Sequence, residues 1–132
     1  VADLAAYVVE AGAAGVRGVV NAVGDATPLA EVLALAAEAT GFTGELVARD
    51  DEWLLAHDVT PWAGPRSLPL WLPREVEGMM RRSNARYRQT GGGLRPLRDT
   101  VERVLDVERA RGIHSARRSG LTPEEEHELL ST

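Results

Sequence analysis

Gly18-Val19-Val20-Asn21-Ala22-Val23-Gly24-Asp25-Ala26-Thr27-Pro28-Leu29 is the stretch on which the fold class turns. Residues 17–23 are apolar on both faces at Val19, Val20, Ala22 and Val23, the pattern of a strand covered on two sides. Gly24-Asp25-Ala26 turns the chain, Thr27 offers a hydroxyl cap, and Pro28 supplies the fixed φ of a first helical residue. The predicted helix buries Leu29, Val32, Leu33 and Ala36 and stops at Thr40-Gly41. Strand, turn and amphipathic helix in this order make part of a parallel α/β unit.

The flanks extend the pattern. Upstream, Val1, Leu4, Ala5, Val8 and Val9 fall at the spacing of one buried helical face. With no initiator Met or capping turn ahead of it, this helix reads as already under way, in the back half of a larger protein. Downstream, residues 45–49 form a second short strand, and Asp50, Asp51 and Glu52 open a helix running to about His57. The helix–strand–helix–strand order implies α/β architecture with parallel pairing. Two strands are too few for a free-standing sheet, so they are expected to extend a Rossmann sheet carried by other polypeptide.

Beyond residue 59 the character changes. Residues 60–73 are a proline-punctuated apolar loop, of a length that is uncommon unless functional or disordered. Helices are expected over 74–82, 84–89 and 96–111, with Gly91-Gly92-Gly93 stopping the second. Residues 112–120 read as a basic linker, and Thr122-Pro123-Glu124-Glu125 as a capping box opening an acidic last helix. The organisation is therefore an α/β segment over 1–59, a helix-rich lobe over 60–111, and a linker with terminal helix over 112–132.

Composition closes off several function classes. The chain has 132 residues, is 44% hydrophobic and carries a net charge of −5, so nucleic-acid or anionic-membrane binding has no electrostatic support. No apolar run approaches the ~20 residues that span a bilayer. Without cysteine there is no disulfide frame or thiolate chemistry, which fits the cytoplasm. All 15 basic residues are Arg, which excludes a phosphate-loop lysine, a Schiff-base lysine or a Tyr/Lys proton-transfer pair within this segment.

The order of short elements resembles the C-terminal portion of the NAD-dependent epimerase/dehydratase family, the extended short-chain dehydrogenase/reductases, and especially its reductase-like branch. The resemblance rests on Asp3-Leu4-Ala5, the strand through Gly24, Thr27-Pro28, Asp51-Glu52-Trp53-Leu54-Leu55 and Leu68-Pro69-Leu70-Trp71-Leu72-Pro73. Ser83-Asn84-Ala85-Arg86, Arg95-Pro96-Leu97, Thr100-Val101 and Gly120-Leu121-Thr122-Pro123-Glu124 complete it, so it spans nearly the whole chain. It implies a two-part enzyme whose N-terminal Rossmann half carries the glycine-rich turn, NAD or NADP, and a Tyr/Lys pair. The C-terminal lobe would shape the substrate pocket. This chain matches the second part only: Tyr7 and Tyr87 lack a lysine four residues on, and Gly91-Gly92-Gly93 follows a helix rather than a strand. The implied partners are a small-molecule substrate and the chain's own Rossmann half, with a homodimer possible. A non-enzymatic dinucleotide-sensing or protein-interaction module on the same fold is the alternative.

The candidate site residues are Trp62, Leu70, Trp71, Met79 and Arg95. Trp62, Leu70 and Trp71 belong to the apolar loop and suit a pocket wall; the alternative is that both indoles simply pack on the lobe's core. Met79, beside Met80, is either wall or core filler. Among Arg81, Arg82, Arg86, Arg88, Arg95 and Arg98, Arg95 sits beside a turn and could hold an anionic substrate; the alternative is a solvated helical face. Asp50, Asp51 and Glu52 read as helix-dipole carboxylates. His57, His114 and His127 share no metal-ligand spacing. Asn21 and Gly24 lie at the carboxyl end of the first strand, where open α/β sheets bind ligands.

Overall fold

A computed structural model describes residues 1–113 and 115–132, and His114 lies outside the described residues. In chain order the elements are α1 (Ala2–Ala13), α2 (Leu29–Thr40), α3 (Asp51–Ala56), β1 (Thr60–Pro61), β2 (Ser67–Leu68), a 3-10 turn (Glu77–Met80), α4 (Ala85–Gln89), α5 (Leu97–Arg111) and α6 (Pro123–Leu130). The class is α/β, mostly helical with two short parallel strands. No helix among the described residues is long and apolar enough to cross a membrane.

The strands are not where periodicity put them. Residues 17–23 and 45–49 form no ladder among the described residues, and Val19 is 85% exposed. β-propensity describes how well a residue fits a pleated, half-buried surface; without a neighbouring strand it cannot make one. The pairing falls instead inside the apolar loop, Thr60 opposite Ser67 and Pro61 opposite Leu68. Left-handed residues recur through that loop: Asp58 (φ 57°), Trp62 (68°), Arg66 (48°) and Leu70 (72°). Each such residue costs of order 1–3 kcal/mol and persists only where its surroundings hold it there.

Ser67 is one of the groups that hold it. Its side chain is fully buried; Oγ donates to Gly64 O at 2.7 Å and accepts from Gly120 N at 2.9 Å. Gly64 N donates to Ser119 Oγ at 3.0 Å. The end of the predicted linker is thus stapled to the loop. Ser67→Ala removes both contacts and strips a partner from the Gly120 N–H, so a loss of about 1–3 kcal/mol is expected in a urea melt. An unchanged midpoint would mean that the staple contributes nothing.

The main core joins Leu54, Val59, Trp71 and Leu129, with Leu29, Trp53, Leu68 and Leu121 packed against it. It therefore draws on α2, α3, the loop and α6. A second cluster centres on Tyr87, whose ring is 4.6 Å from that of Tyr7. Tyr87 Oη donates to Gly93 O at 2.6 Å, and Tyr7 Oη shares a 2.7 Å hydrogen bond with Thr90 Oγ1.

That second cluster reverses the expectation for α1. Leu4, Val8 and Val9 are 47, 60 and 72% exposed, and the buried residue is Tyr7. Asp3 bonds Arg95 and Tyr7 bonds Thr90, and these i, i+4 anchors set the helix rotation in place of the aliphatic stripe. The α2 start differs by one residue, since Pro28 is the cap residue and Thr27 Oγ1 turns back to Asp25 O. The helix expected over 74–82 contracts to one 3-10 turn. Other boundaries follow the sequence signals: Gly41 ends α2 at φ 72°, Asp50 Oδ1 caps α3 on Trp53 N at 2.8 Å, and Thr122 with Glu125 makes the capping box of α6.

Much surface remains open. The accessible area is 9854 Å² for a 14.2 kDa chain. A folded monomer of that mass is expected to expose only about 6,800 Å².

Candidate functional site: a cleft beside a tethered, unpaired segment

Residues 17–25 are held by side chains from residues 83–88 rather than by a sheet. Arg86 Nη2 donates to Arg17 O at 2.6 Å. Asn84 Nδ2 donates to Val23 O at 3.3 Å and to Asp25 Oδ1 at 2.7 Å, while Arg88 Nη2 reaches Asp25 Oδ2 at 2.6 Å. Asn21 Nδ2 returns a contact to Ser83 O at 3.4 Å. Gly18, at φ 93°, is favoured by its left-handed backbone, and a Cβ there would lie 3.1 Å from Arg86 Nη2, so the guanidinium would have to shift by a few tenths of an ångström.

Next to these tethers is a cleft of about 610 Å³ between residues 23–27 and residues 77–83. Gly24, at the turn after the predicted strand, faces Met79 and Met80 across it, with Arg82 and Ser83 on the same wall. The volume falls within the range of small-molecule sites. The lining is mixed, since Arg81 pairs with Glu77 at 2.5 Å and Asp25 is engaged by Asn84 and Arg88. Asn84, acting first, and Arg88 hold the Asp25 carboxyl below the ordinary aspartate range, so it stays ionised as an acceptor.

The five predicted site residues are not brought together. Met79 lines this cleft. Trp71 is buried in the main core, where its Nε1 donates to Asp51 Oδ1 at 2.9 Å. Trp71 is thus packed in the core and at the same time stands among the residues lining an apolar groove beside α2, α3 and α6. Trp62 and Leu70 are 44% and 52% exposed, both at left-handed positions of the loop. Arg95 is committed to Asp3 through Nε at 2.6 Å and its backbone N at 3.2 Å, which makes it a strut between α1 and the turn before α5.

Composition alone did not expose the tethers. Asn84, Arg86 and Arg88 stand at alternate positions and supply donors to a segment rich in unpaired carbonyls. Only the knowledge that residues 17–23 lack a strand partner makes that spacing meaningful. Among the described residues no group of three or more His, Asp or Glu is placed to hold a metal ion. His57 is occupied locally, stacking on Trp53 at 3.9 Å and sharing a 2.8 Å hydrogen bond between Nδ1 and Trp53 O.

Asp51 and Asp3 join Asp25 and Glu38 among the carboxylates held below their ordinary range. The Trp71 indole N–H, then the Arg74 backbone N–H, hold Asp51 below the ordinary aspartate value. The Arg95 side chain, then its backbone N–H, do the same for Asp3. A depressed native pKa contributes stability that is present above the unfolded value of about 3.9 and lost as the pH falls through the native value. Stability should therefore decline below about pH 4, and Asp51→Asn with Asp3→Asn should flatten that decline in acid titrations followed by circular dichroism. An equally steep acid limb in the double variant would assign the loss to other groups.

No family model, curated protein or solved structure matches this chain.

Proposed function

We propose that this chain is the substrate-binding part of a NAD(P)-dependent reductase or epimerase/dehydratase of the extended short-chain type, acting against a Rossmann half supplied by other polypeptide. The observation that carries the reading is the segment 17–25: strand-forming residues, fixed by side chains on one side, with no ladder partner among the described residues. A backbone kept in this condition suits a strand that pairs only when a sheet is brought to it, because unpaired donors and acceptors are costly once buried. The surplus of accessible surface, about 3,000 Å² over the expected value, supports the same reading.

On this reading the cleft between Gly24 and Met79 receives the substrate. The methionines give an adaptable apolar wall, and Arg82 supplies a cation toward an anionic group. NAD or NADP would be held by the partner half, which would also provide the acid/base residues and the hydride chemistry. The lobe's own work is to position the substrate and exclude water.

The test joins this chain to the upstream part of its own gene product and follows NADH and NADPH oxidation across a panel of carbonyl substrates. Turnover is expected from the joined protein and none from the 132 residues alone. Met79→Ala should raise KM by about threefold to tenfold with kcat little changed, the signature of lost uniform binding. A gene product without a dinucleotide-binding half, or a joined protein that binds neither cofactor, would overturn the reading.

A further inference from the structure

The most apolar concavity of the chain lies away from that cleft. It is a groove of about 350 Å³ framed by α2, residues 47–49, α3 and α6, with Leu33, Val47, Trp53 and Leu130 among its lining residues. Its apolar walls and few charged groups are the make-up of a small-molecule site, and its volume lies at the lower end of that range. Two charged residues line it, Arg49 and Glu126, and their surroundings differ. The Arg49 guanidinium lies over the Trp53 ring, 5.0 Å from its centre, and Nη1 donates to Ala48 O at 3.2 Å. Trp53 in turn stacks on His57, with ring centroids 3.9 Å apart, so the arginine rests on a ring that is itself held. Among the described residues no carboxylate pairs with Arg49, and only Nη1 of its donor fork has an acceptor. Glu126 stands in the first turn of α6, where the helix N-terminus offsets its negative charge.

We infer that this groove binds an amphipathic carboxylate, a small molecule whose apolar chain or ring ends in one carboxyl group. The carboxylate takes the remaining N–H donors of the Arg49 fork, whose geometry matches two oxygens at once. The apolar body lies against Leu33, Val47 and Leu130, which are 43, 41 and 54% exposed and lose contact with water as it seats. Electrostatics sets the sign of the ligand. Arg49 has no counter-charge among the described residues, whereas Glu126 is balanced by its own helix, so an anion gains more here than a cation. Stacking on Trp53 already restricts the arginine, which leaves less rotamer freedom to lose on binding. The inference does not rest on the proposed reductase role, which uses a different cleft, and its readout is heat of binding rather than turnover.

The test is titration calorimetry of the 132-residue chain with hexanoate, octanoate and decanoate below their micellar concentrations, and with octanol and octylamine as neutral and cationic counterparts. Octanoate is expected to bind about threefold or more tightly than either counterpart. Affinity should rise about fourfold or more for each added pair of methylenes from hexanoate to decanoate. Arg49→Gln should weaken octanoate about threefold to tenfold and leave octanol unchanged, whereas Leu33→Gln and Leu130→Gln, at exposed positions, should weaken both. Circular dichroism checks every variant; should one lose its helical signal, the comparison of octanoate, octanol and octylamine on the parent chain decides by itself. No heat with octanoate in the millimolar range or octylamine binding as tightly as octanoate would overturn the inference. So would an Arg49→Gln chain that loses octanol as much as octanoate, or leucine variants that leave octanoate binding unchanged.

Discussion

Tyr87→Ala is expected to cost about 3–5 kcal/mol, enough to unfold much of the population of a chain whose total stability lies near the usual 5–15 kcal/mol. The side chain is 2% exposed, its ring packs against Tyr7, and its hydroxyl donates to Gly93 O at 2.6 Å. The ring's loss opens a cavity between α1 and the Gly91-Gly92-Gly93 turn and removes the surface on which α1 is docked. Tyr87→Phe keeps the ring and drops only the hydroxyl contact, so it should cost about 1 kcal/mol. The same packing is testable from the other side. A Cβ on Gly92 would lie 2.5 Å from three atoms of the Tyr87 ring, and Gly92→Ala should therefore cost about 1–3 kcal/mol by overpacking. Urea melts followed by circular dichroism rank the three variants. If Tyr87→Ala were no worse than Tyr87→Phe, the aromatic cluster would not be what holds α1.

The Tyr87 cluster also shows where sequence reading stops. Helix punctuation is local chemistry, so Gly41, Asp50 and the Thr122 capping box appear where the residue types demand them. Which face of a helix is buried is a tertiary question. The α1 aliphatic stripe has the better periodicity, yet one tyrosine and one aspartate with fixed partners 83 and 92 residues away set its rotation. Strand position is more exposed still to this failure, because a strand is half of a pair. Val19, Val20 and Val23 have the composition of a strand and no ladder among the described residues, while Thr60, Pro61, Ser67 and Leu68 lie in a proline-rich loop and do pair. Of the candidate site, Gly24 and Met79 were legible from a turn and a methionine pair, and they meet across one cleft. Trp62, Leu70, Trp71 and Arg95 scatter because residue type marks what a side chain can do, and the partners it meets decide which of those things it does.

Trp71 is the sharpest case, and Trp71→Ala is the second large effect expected, about 3–5 kcal/mol. The indole is 8% exposed and packs with Leu54, Val59 and Leu129, the cluster that ties α3 and α6 to the loop. Its Nε1 and the Arg74 N–H both donate to Asp51, at 2.9 Å each, so one carboxylate fixes both ends of the Trp71–Arg74 segment. Trp71→Phe should retain most of the apolar burial and lose about 1 kcal/mol, small because Asp51 is solvent-screened. Because the indole N–H is the leading cause of the low Asp51 pKa, the Phe variant should also shed part of the acid-dependent stability, and Trp71→Phe combined with Asp51→Asn should add little further pH sensitivity. Trp62 provides the contrast. It is 44% exposed, and its Ala variant should stay within about 0.5 kcal/mol of the parent apart from any relief of its left-handed backbone. A pocket-wall tryptophan would behave in the opposite way, changing substrate affinity while leaving the melt intact. Measuring melts of both variants beside KM in the joined protein separates the two roles: a stable Trp71→Ala with an altered KM would return Trp71 to the pocket and remove it from the core.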